Sequence, residues 1–307
     1  MLTGLVSVWE GFVRTSVSSP DRLAVITSTE SLTYAGLAAE ALKARMGLRR
    51  AGLGTGTRVG VCCQRSTRTI ALLLGCLGAG AVCVPLDPGD PTDWVVETAA
   101  AAAVDALVVD RMAPWLNFLD RRVRVLESGE LLITGDTAAG ETDPIGRDDP
   151  AMLVCTSGST GDPKAVLLTN GNLLSYHAAL LHAVGVNADD RYLHAASVSF
   201  SSANRQLLLP LLTGAAVVLS SPEQRADIEQ LIALIEDCRV TVLDLVPTQL
   251  EMVAEAINRG TGRSHFDELR NSVRLTLTAS EALTGGIVEK WRSIMGVTHP
   301  IINEAYS

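Results

Sequence analysis

Residues Val154 to Leu173 read VCTSGSTGDPKAVLLTNGNL. Within them, the nine residues Thr156 to Lys164 hold two serines, two threonines, two glycines and one lysine. The apolar run Met152 to Cys155 enters this stretch and the run Ala165 to Leu168 leaves it, so the pattern predicts a polar loop between two strands. Backbone N–H groups, hydroxyls and one cation gathered on a loop suit a polyphosphate. Gly158 and Gly161 let the backbone approach a ligand closely, and Pro163 stiffens the exit without an N–H to misplace. Lys164 supplies a point charge worth roughly 4 kcal/mol against one phosphate charge at about 4 Å and intermediate dielectric. A plain Ser/Gly turn does not need this combination. A Walker P-loop needs four residues between its glycines and then Gly-Lys-Ser/Thr. Here two residues separate the glycines, Pro163 precedes the lysine and Ala165 follows it.

The stretch Leu153 to Lys164 resembles the signature loop of the adenylate-forming superfamily, which includes acyl-CoA synthetases, luciferases and nonribosomal peptide adenylation domains. Ala165 stands where that family has a second glycine, and its methyl group is tolerated if the backbone there is extended. Further segments agree in the same order. Leu32-Thr33-Tyr34 with Leu37 is similar to the early LTY element. Leu77 to Pro88 is similar to KAGAAYVPLDP, with Gly78 in place of the lysine. Val198 to Ser201 sits where the family has a Phe-Asp pair. Ala279 to Leu283 resembles GGEAL, and Glu304 to Ser307 resembles the start of YGPTE.

The chain has 307 residues, 47% apolar and 19% charged, which is enough for two ordinary domains or one large layered one. Its net charge of −9 and the lack of a dense Lys/Arg run argue against nucleic acid as the main partner. The six cysteines lie in apolar runs with no Cys-x-x-Cys pair and no metal-ligand spacing. They read as buried reduced thiols of a cytoplasmic protein. His177 and His182 are not at a helical ligand spacing, and the five histidines read as structural. The uncharged run after Arg68, up to Leu86, contains Gly75, Gly78, Gly80 and Pro85. It reads as a buried helix followed by a buried strand and not as a membrane span. The first residues, MLTGLVSVWEGF, carry no secretion signal.

Strand-like runs are predicted at Arg58 to Cys63, Ala106 to Val109, Val123 to Leu126, Ala215 to Leu219, Val240 to Leu245 and Val273 to Thr278. Helices are predicted at Thr67 to Leu77, Asn172 to Val184, around Leu207 to Leu212, and at Ile228 to Glu236, Thr248 to Ile257 and Gly286 to Ile294. Repeated βα units with short connections imply an α/β fold of mostly parallel sheets covered by helices. Glu127 to Pro150, rich in Gly, Asp, Thr and Pro, is the best internal boundary, and it divides the chain into subdomains 1–140 and 141–307. Ligands of such sheets sit at the carboxyl ends of strands. The Thr156 loop, the Ser199 segment, the Ala279 loop and the chain end all follow strand-like runs.

The resemblance implies two packed α/β subdomains, the N-terminal core of an enzyme that joins a carboxylic acid to AMP from ATP. By that resemblance Thr156, Ser157, Gly158, Ser159, Thr160, Gly161 and Lys164 hold the β- and γ-phosphates with Mg²⁺ nearby. Ser280, Glu281 and Ala282 line the adenine, and Tyr306 stacks on or flanks it. The acid pocket is formed by Phe200, Ser201, Ser202, Arg205, Asp244, Leu277, Ala279 and Ala305. In members that activate amino acids, an aspartate at the position of Ser201 holds the α-ammonium. A neutral hydroxyl leaves a buried ammonium uncompensated, so a standard α-amino acid is disfavoured. The open classes are β-amino, aryl and other polar or hydroxylated acids. Arg205 and Asp244 form an internal pair or turn to solvent; alternatively, Asp244 takes a displaced amino group, or Arg205 a second carboxylate or hydroxyl. The acyl acceptor implied is a carrier-protein or CoA thiol. The family's ribose-binding aspartate, hinge and mobile domain with its catalytic lysine would follow Ser307. The chain therefore reads as a core truncated before the barrel subdomain and the C-terminal domain, with no catalytic residue of its own and little activity alone. A non-catalytic nucleotide-binding or assembly module that needs a separate C-terminal partner is the alternative. A dinucleotide-dependent oxidoreductase lacks its Gly-x-Gly-x-x-Gly here.

Overall fold

The computed structural model describes residues 2, 4–132, 144–157, 163–259 and 266–304. Its strands, in chain order, are β1 (Leu23–Ile26), β2 (Ser31–Thr33), β3 (Arg58–Cys62), β4 (Val82–Pro85), β5 (Ala106–Val109), β6 (Arg124–Glu127) and β7 (Pro150–Ser157). They continue with β8 (Pro163–Thr169), β9 (Arg191–His194), β10 (Ala216–Leu219), β11 (Val242–Asp244), β12 (Leu275–Ala279) and β13 (Ile301–Glu304). One sheet has the order β6-β5-β3-β4-β7-β8 and the other β13-β12-β11-β9-β10-β1-β2. Pairing in the first is parallel except for the antiparallel β7–β8 pair. Every described pairing from β1 through β10, β9, β11 and β12 to β13 in the second is parallel.

The chain divides into two compact units. The first comprises Met1–Asp21, Leu32–Ala179 and Ser197–Ser201, and the second Arg22–Ser31, Leu180–Ala196 and Ser202–Ser307. These limits differ from a division at residue 140. Met152 of β7 pairs with Cys83 of β4, so the predicted phosphate hairpin belongs to the first sheet. Conversely, β1 pairs with β10 and joins the second.

In the first unit, β4 and β5 are buried at every position, as strands covered on both faces require. The helix Thr67–Ala79 starts at Ser66, whose hydroxyl accepts from the Thr69 amide, and it stops at Gly80 in the left-handed conformation (φ 77°). The uncharged run is thus a buried helix, a glycine turn and the buried strand β4. A Cβ on Gly75 would lie 2.6 Å from Ala44 Cβ and 2.9 Å from the Arg45 nitrogen, so this helix crosses Tyr34–Arg50 in near contact. A Cβ on Gly78 would lie 2.7–2.9 Å from three Trp9 ring atoms. The indole therefore occupies the space that a side chain would claim at this position, where the resembled motif has lysine.

In the second unit, the core gathers Val218, Leu231, Ile235, Leu243, Leu250, Val253 and Trp291 between sheet and helices. The helix Ile228–Asp237 begins at Asp227, whose carboxylate accepts from the Glu229 and Gln230 amides. The helix Pro247–Asn258 begins with proline, which has no N–H to leave unpaired there. Trp291 Nε1 donates to Thr276 Oγ1 (3.0 Å), which also bonds His299 Nε2 (2.9 Å), so the buried indole and imidazole share one hydroxyl. Burial lowers the His299 pKa. Among the described residues, no helix is long and apolar enough to cross a membrane.

Candidate functional site

The hairpin β7–β8 carries the stretch that opened the sequence reading. Cys155 pairs with Ala165, Thr156 with Lys164 and Ser157 with Pro163. Ala165 is therefore in extended backbone, the condition under which its methyl replaces glycine without strain. Lys164 is exposed on β8 and makes no ion pair with a described residue. Gly158, Ser159, Thr160 and Gly161 lie outside the described residues, as do Ala305 and Tyr306; Thr156 and Ser157 are placed by their strand pairing alone.

Beside the hairpin strand, the carboxyl end of β4 continues into Asp87, a buried carboxylate. Ser197 Oγ donates to its Oδ2 (2.6 Å) and the Gly89 amide to its Oδ1 (2.9 Å). Ser199 Oγ accepts from the Asp87 amide (2.9 Å) and donates to Asp90 (2.7 Å). These bonds fix the segment that leads to Phe200 and Ser201. Phe200 is 64% exposed, and Ser201, also exposed, opens the helix Ser201–Thr213.

Within the second unit, the neighbouring strands β9, β11 and β12 end together. Their carboxyl ends, with the helix Ser201–Thr213, border a small pocket, open to the surface, of about 30 Å³ lined by Ser202, Arg205, Asp244, Gln249, Ala279 and Ser280. Four of the predicted pocket positions thus meet there: Ser202, Arg205, Asp244 and Ala279. Leu277 does not. It packs in the core with Tyr192, Leu209 and Val242.

Arg205 and Asp244 answer to each other. Nε bonds Oδ2 and Nη2 bonds Oδ1, both at 2.7 Å, in a bidentate pair whose side chains are each 2% exposed. Tyr192 donates a further bond to Asp244 Oδ2 (2.8 Å). Gln206, one residue beyond Arg205, was not among the predicted positions. Its Nε2 donates to the Asp244 carbonyl (2.8 Å), and its Oε1 accepts from the Ala195 and Ala196 amides (3.0 and 2.9 Å). This one buried amide ties the helix to the ends of β9 and β11. Its glutamine identity carried no motif signal; only its proximity to Arg205 marked it.

At the end of β12, Ser280 holds φ at +71°, the left-handed region that costs a residue with a Cβ about 1–2 kcal/mol. The strand thereby turns sharply at the cavity mouth. Glu281, next in line, accepts from the Thr248 amide (3.0 Å) and Oγ1 (2.6 Å). It satisfies the first turn of Pro247–Asn258 and anchors the loop that continues through the exposed Ala282.

Five of the six cysteines are poor nucleophiles. Burial pushes the Cys62 thiol up to about 12, and burial also raises Cys63, Cys155 and Cys238. Cys83 is raised by its bond to Cys76 and by burial. Such thiols stay protonated at neutral pH. Among the described residues, no group of three or more His, Cys, Asp or Glu could hold a metal ion.

Residues 12–306 match the family model of the AMP-binding enzymes. The chain belongs to the AMP-binding enzyme family. Among curated members, it is 30% identical over 305 residues to novobiocin biosynthesis protein H of Streptomyces niveus, covering 94% of this chain and 47% of that protein. It is 28% identical over 304 residues to the dimodular nonribosomal peptide synthase of Bacillus subtilis, covering 94% of this chain and 12% of that protein. It is also 28% identical over 235 residues to tyrocidine synthase 3 of Brevibacillus parabrevis, 76% of this chain and 4% of that protein. This AMP-binding chain thus spans less than half the length of these relatives. Its fold is that of the Klebsiella oxytoca NpsA N-terminal subdomain solved with 3-hydroxybenzoyl-AMSN: the TM-score is 0.83 at 25% identity, covering all of this chain and 74% of that one. The AMPPNP-bound nonribosomal peptide synthetase FmoA3 gives a TM-score of 0.85 at 25% identity, covering 99% of this chain and 32% of that one.

Proposed function

We propose that this AMP-binding chain is the nucleotide- and acid-binding part of a ligase of the nonribosomal peptide adenylation type. The observation that carries the reading is the β7–β8 register, which sets Lys164, exposed and without an ion pair among the described residues, opposite Thr156 in a stretch rich in Ser, Thr and Gly. The reaction is attack of a carboxylate oxygen on the α-phosphorus of ATP. An O–P bond forms, the α–β bridging bond breaks, and pyrophosphate leaves with the electron pair. Acyl transfer to a carrier-protein or CoA thiol then releases AMP. The protein's part is alignment and charge stabilisation.

Thr156, Ser157, Gly158, Ser159, Thr160, Gly161 and Lys164 are assigned to the phosphates. Ser280, Glu281, Ala282 and Tyr306 are assigned to the adenine side, and Ala305 to the acid pocket. The nucleotide fits what the chain offers: a cation on an edge strand with no ion pair among the described residues, and a strand end that turns sharply at Ser280. Mg²⁺ would enter with the ATP phosphates. Glu281 serves through the loop it anchors, since Thr248 already takes its carboxylate.

The acid is not a standard α-amino acid. Ser201 is neutral, and Asp244 already receives Arg205 and Tyr192. A β-amino group finds no spare carboxylate there either. ATP–pyrophosphate exchange by the full-length enzyme tests the assignment. Exchange that depends on an added carboxylic acid supports it; ATP binding without exchange for any acid favours a non-catalytic nucleotide-binding module.

A further inference from the structure

We infer that Gln206 is a positioning residue for the reaction, a wedge whose side-chain amide holds β9 and β11 apart at the acid pocket; this rests on the adenylation reading above. The two strands run parallel, with Tyr192 opposite Val242. Two residues further on, the same register sets His194 beside Asp244, with Ala195 one step beyond. The Leu245 amide is given to the Leu277 carbonyl of β12 (3.2 Å). Successive residues of a central strand bond to opposite neighbours, so the Asp244 carbonyl faces β9. Unbroken parallel pairing would there join the Ala195 amide to that carbonyl directly.

The Gln206 amide stands in that place. The Ala195 amide donates to Gln206 Oε1 (3.0 Å), and Gln206 Nε2 donates to the Asp244 carbonyl (2.8 Å). One ladder bond is thus replaced by two, with the width of an amide between them. The Ala196 amide donates to the same Oε1 (2.9 Å), so one acceptor serves both donors left at the end of β9. Gln206 is buried and borders the pocket together with Ala196 and Asp244. Its neighbour Arg205 grips the Asp244 carboxylate from the same helix. A crevice at the carboxyl ends of parallel strands requires the strands to part, and here a fixed side chain parts them. The chemistry singles out glutamine: one end accepts twice and the other donates. An ionised glutamate would set an acceptor against the Asp244 carbonyl, and an apolar side chain would leave three buried backbone groups without partners.

The experiment combines crystallography with ATP–pyrophosphate exchange by the full-length enzyme and its Gln206→Ala variant. The probe is whichever of propionate, β-alanine, benzoate and salicylate the parent exchanges fastest. In the variant, the Ala195 amide and the Asp244 carbonyl should close to a direct bond of about 2.9 Å. The KM for the acid should rise at least about 10-fold, while kcat and the KM for ATP change less than about 3-fold. Gln206→Glu, compared at about pH 6, is held protonated by burial. It then keeps all three bonds, and its KM for the acid should return to within about 3-fold of the parent. If Gln206→Ala does not fold, Gln206→Asn, one methylene short, is read in the same way. Strands that stay apart without the glutamine overturn the inference and leave the adenylation reading standing. So do equal rises in the two KM values, or a Gln206→Glu variant no better than Gln206→Ala. A parent that binds ATP but exchanges with no carboxylic acid overturns both.

Discussion

Replacing Arg205 and Asp244 one at a time and together tests the buried ion pair in the proposed acid pocket. Each side chain is 2% exposed, and the two bonds between them are both 2.7 Å long, so neither charge has water to fall back on. Arg205→Met alone leaves a buried carboxylate with Tyr192; Asp244→Leu alone leaves a buried guanidinium without its carboxylate. Each single change is expected to cost about 3–5 kcal/mol. The double change removes both charges at similar volume and is expected to lie within about 2 kcal/mol of the parent, because an apolar replacement recovers the desolvation that the pair incurs. The coupling energy is then at least about 4 kcal/mol. Urea unfolding of the chain at neutral pH, fitted by linear extrapolation with the slope checked for constancy, reads all four proteins. Single costs below about 1 kcal/mol, or a double cost equal to their sum, would mean solvated side chains and refute the buried pair.

Ser280→Gly removes the left-handed strain at φ +71° and should stabilise the chain by about 1 kcal/mol; an unchanged urea midpoint would contradict that strain. Gly78→Ala drives a methyl group into the Trp9 ring and should cost about 1–3 kcal/mol. In a Trp9→Ala background most of that penalty should vanish. Asp190 gives a pH dependence: its burial raises the pKa, but bonds from Arg274, the Asn187 amide and Thr241 outweigh this and leave it below the ordinary 3.8. A depressed carboxylate contributes stability above its unfolded pKa and loses it as pH falls through the folded one. The urea midpoint should therefore drop below pH about 4, and Asp190→Asn should flatten that part of the profile.

The βα pattern and its strands were readable because buried parallel strands such as Ala106–Val109 are continuous apolar runs. The β7–β8 strands were readable from the apolar runs that flank the polar stretch. The unit limits were not, because the partner of β7 is β4, decided by tertiary packing, and no local signal marks β1 as a neighbour of β10. Within the pocket, Ser202, Arg205, Asp244 and Ala279 followed from the resemblance. That Leu277 turns into the core depends on the face of β12, which an all-buried strand does not reveal. Glu281 lies 33 residues from the Thr248 it caps, beyond any periodic signal. Gly78 marked a departure from the resembled motif, and only the position of Trp9 explains it.

The central proposal, that the stretch Thr156 to Lys164 clasps the triphosphate, is tested most directly by calorimetric titration of AMPPNP into the full-length enzyme and its Lys164→Ala variant. Loss of a charge-assisted contact is expected to weaken binding by about 10- to 100-fold, equivalent to about 1.4–2.8 kcal/mol. Equal affinities for the two proteins would place the phosphates elsewhere and contradict the account.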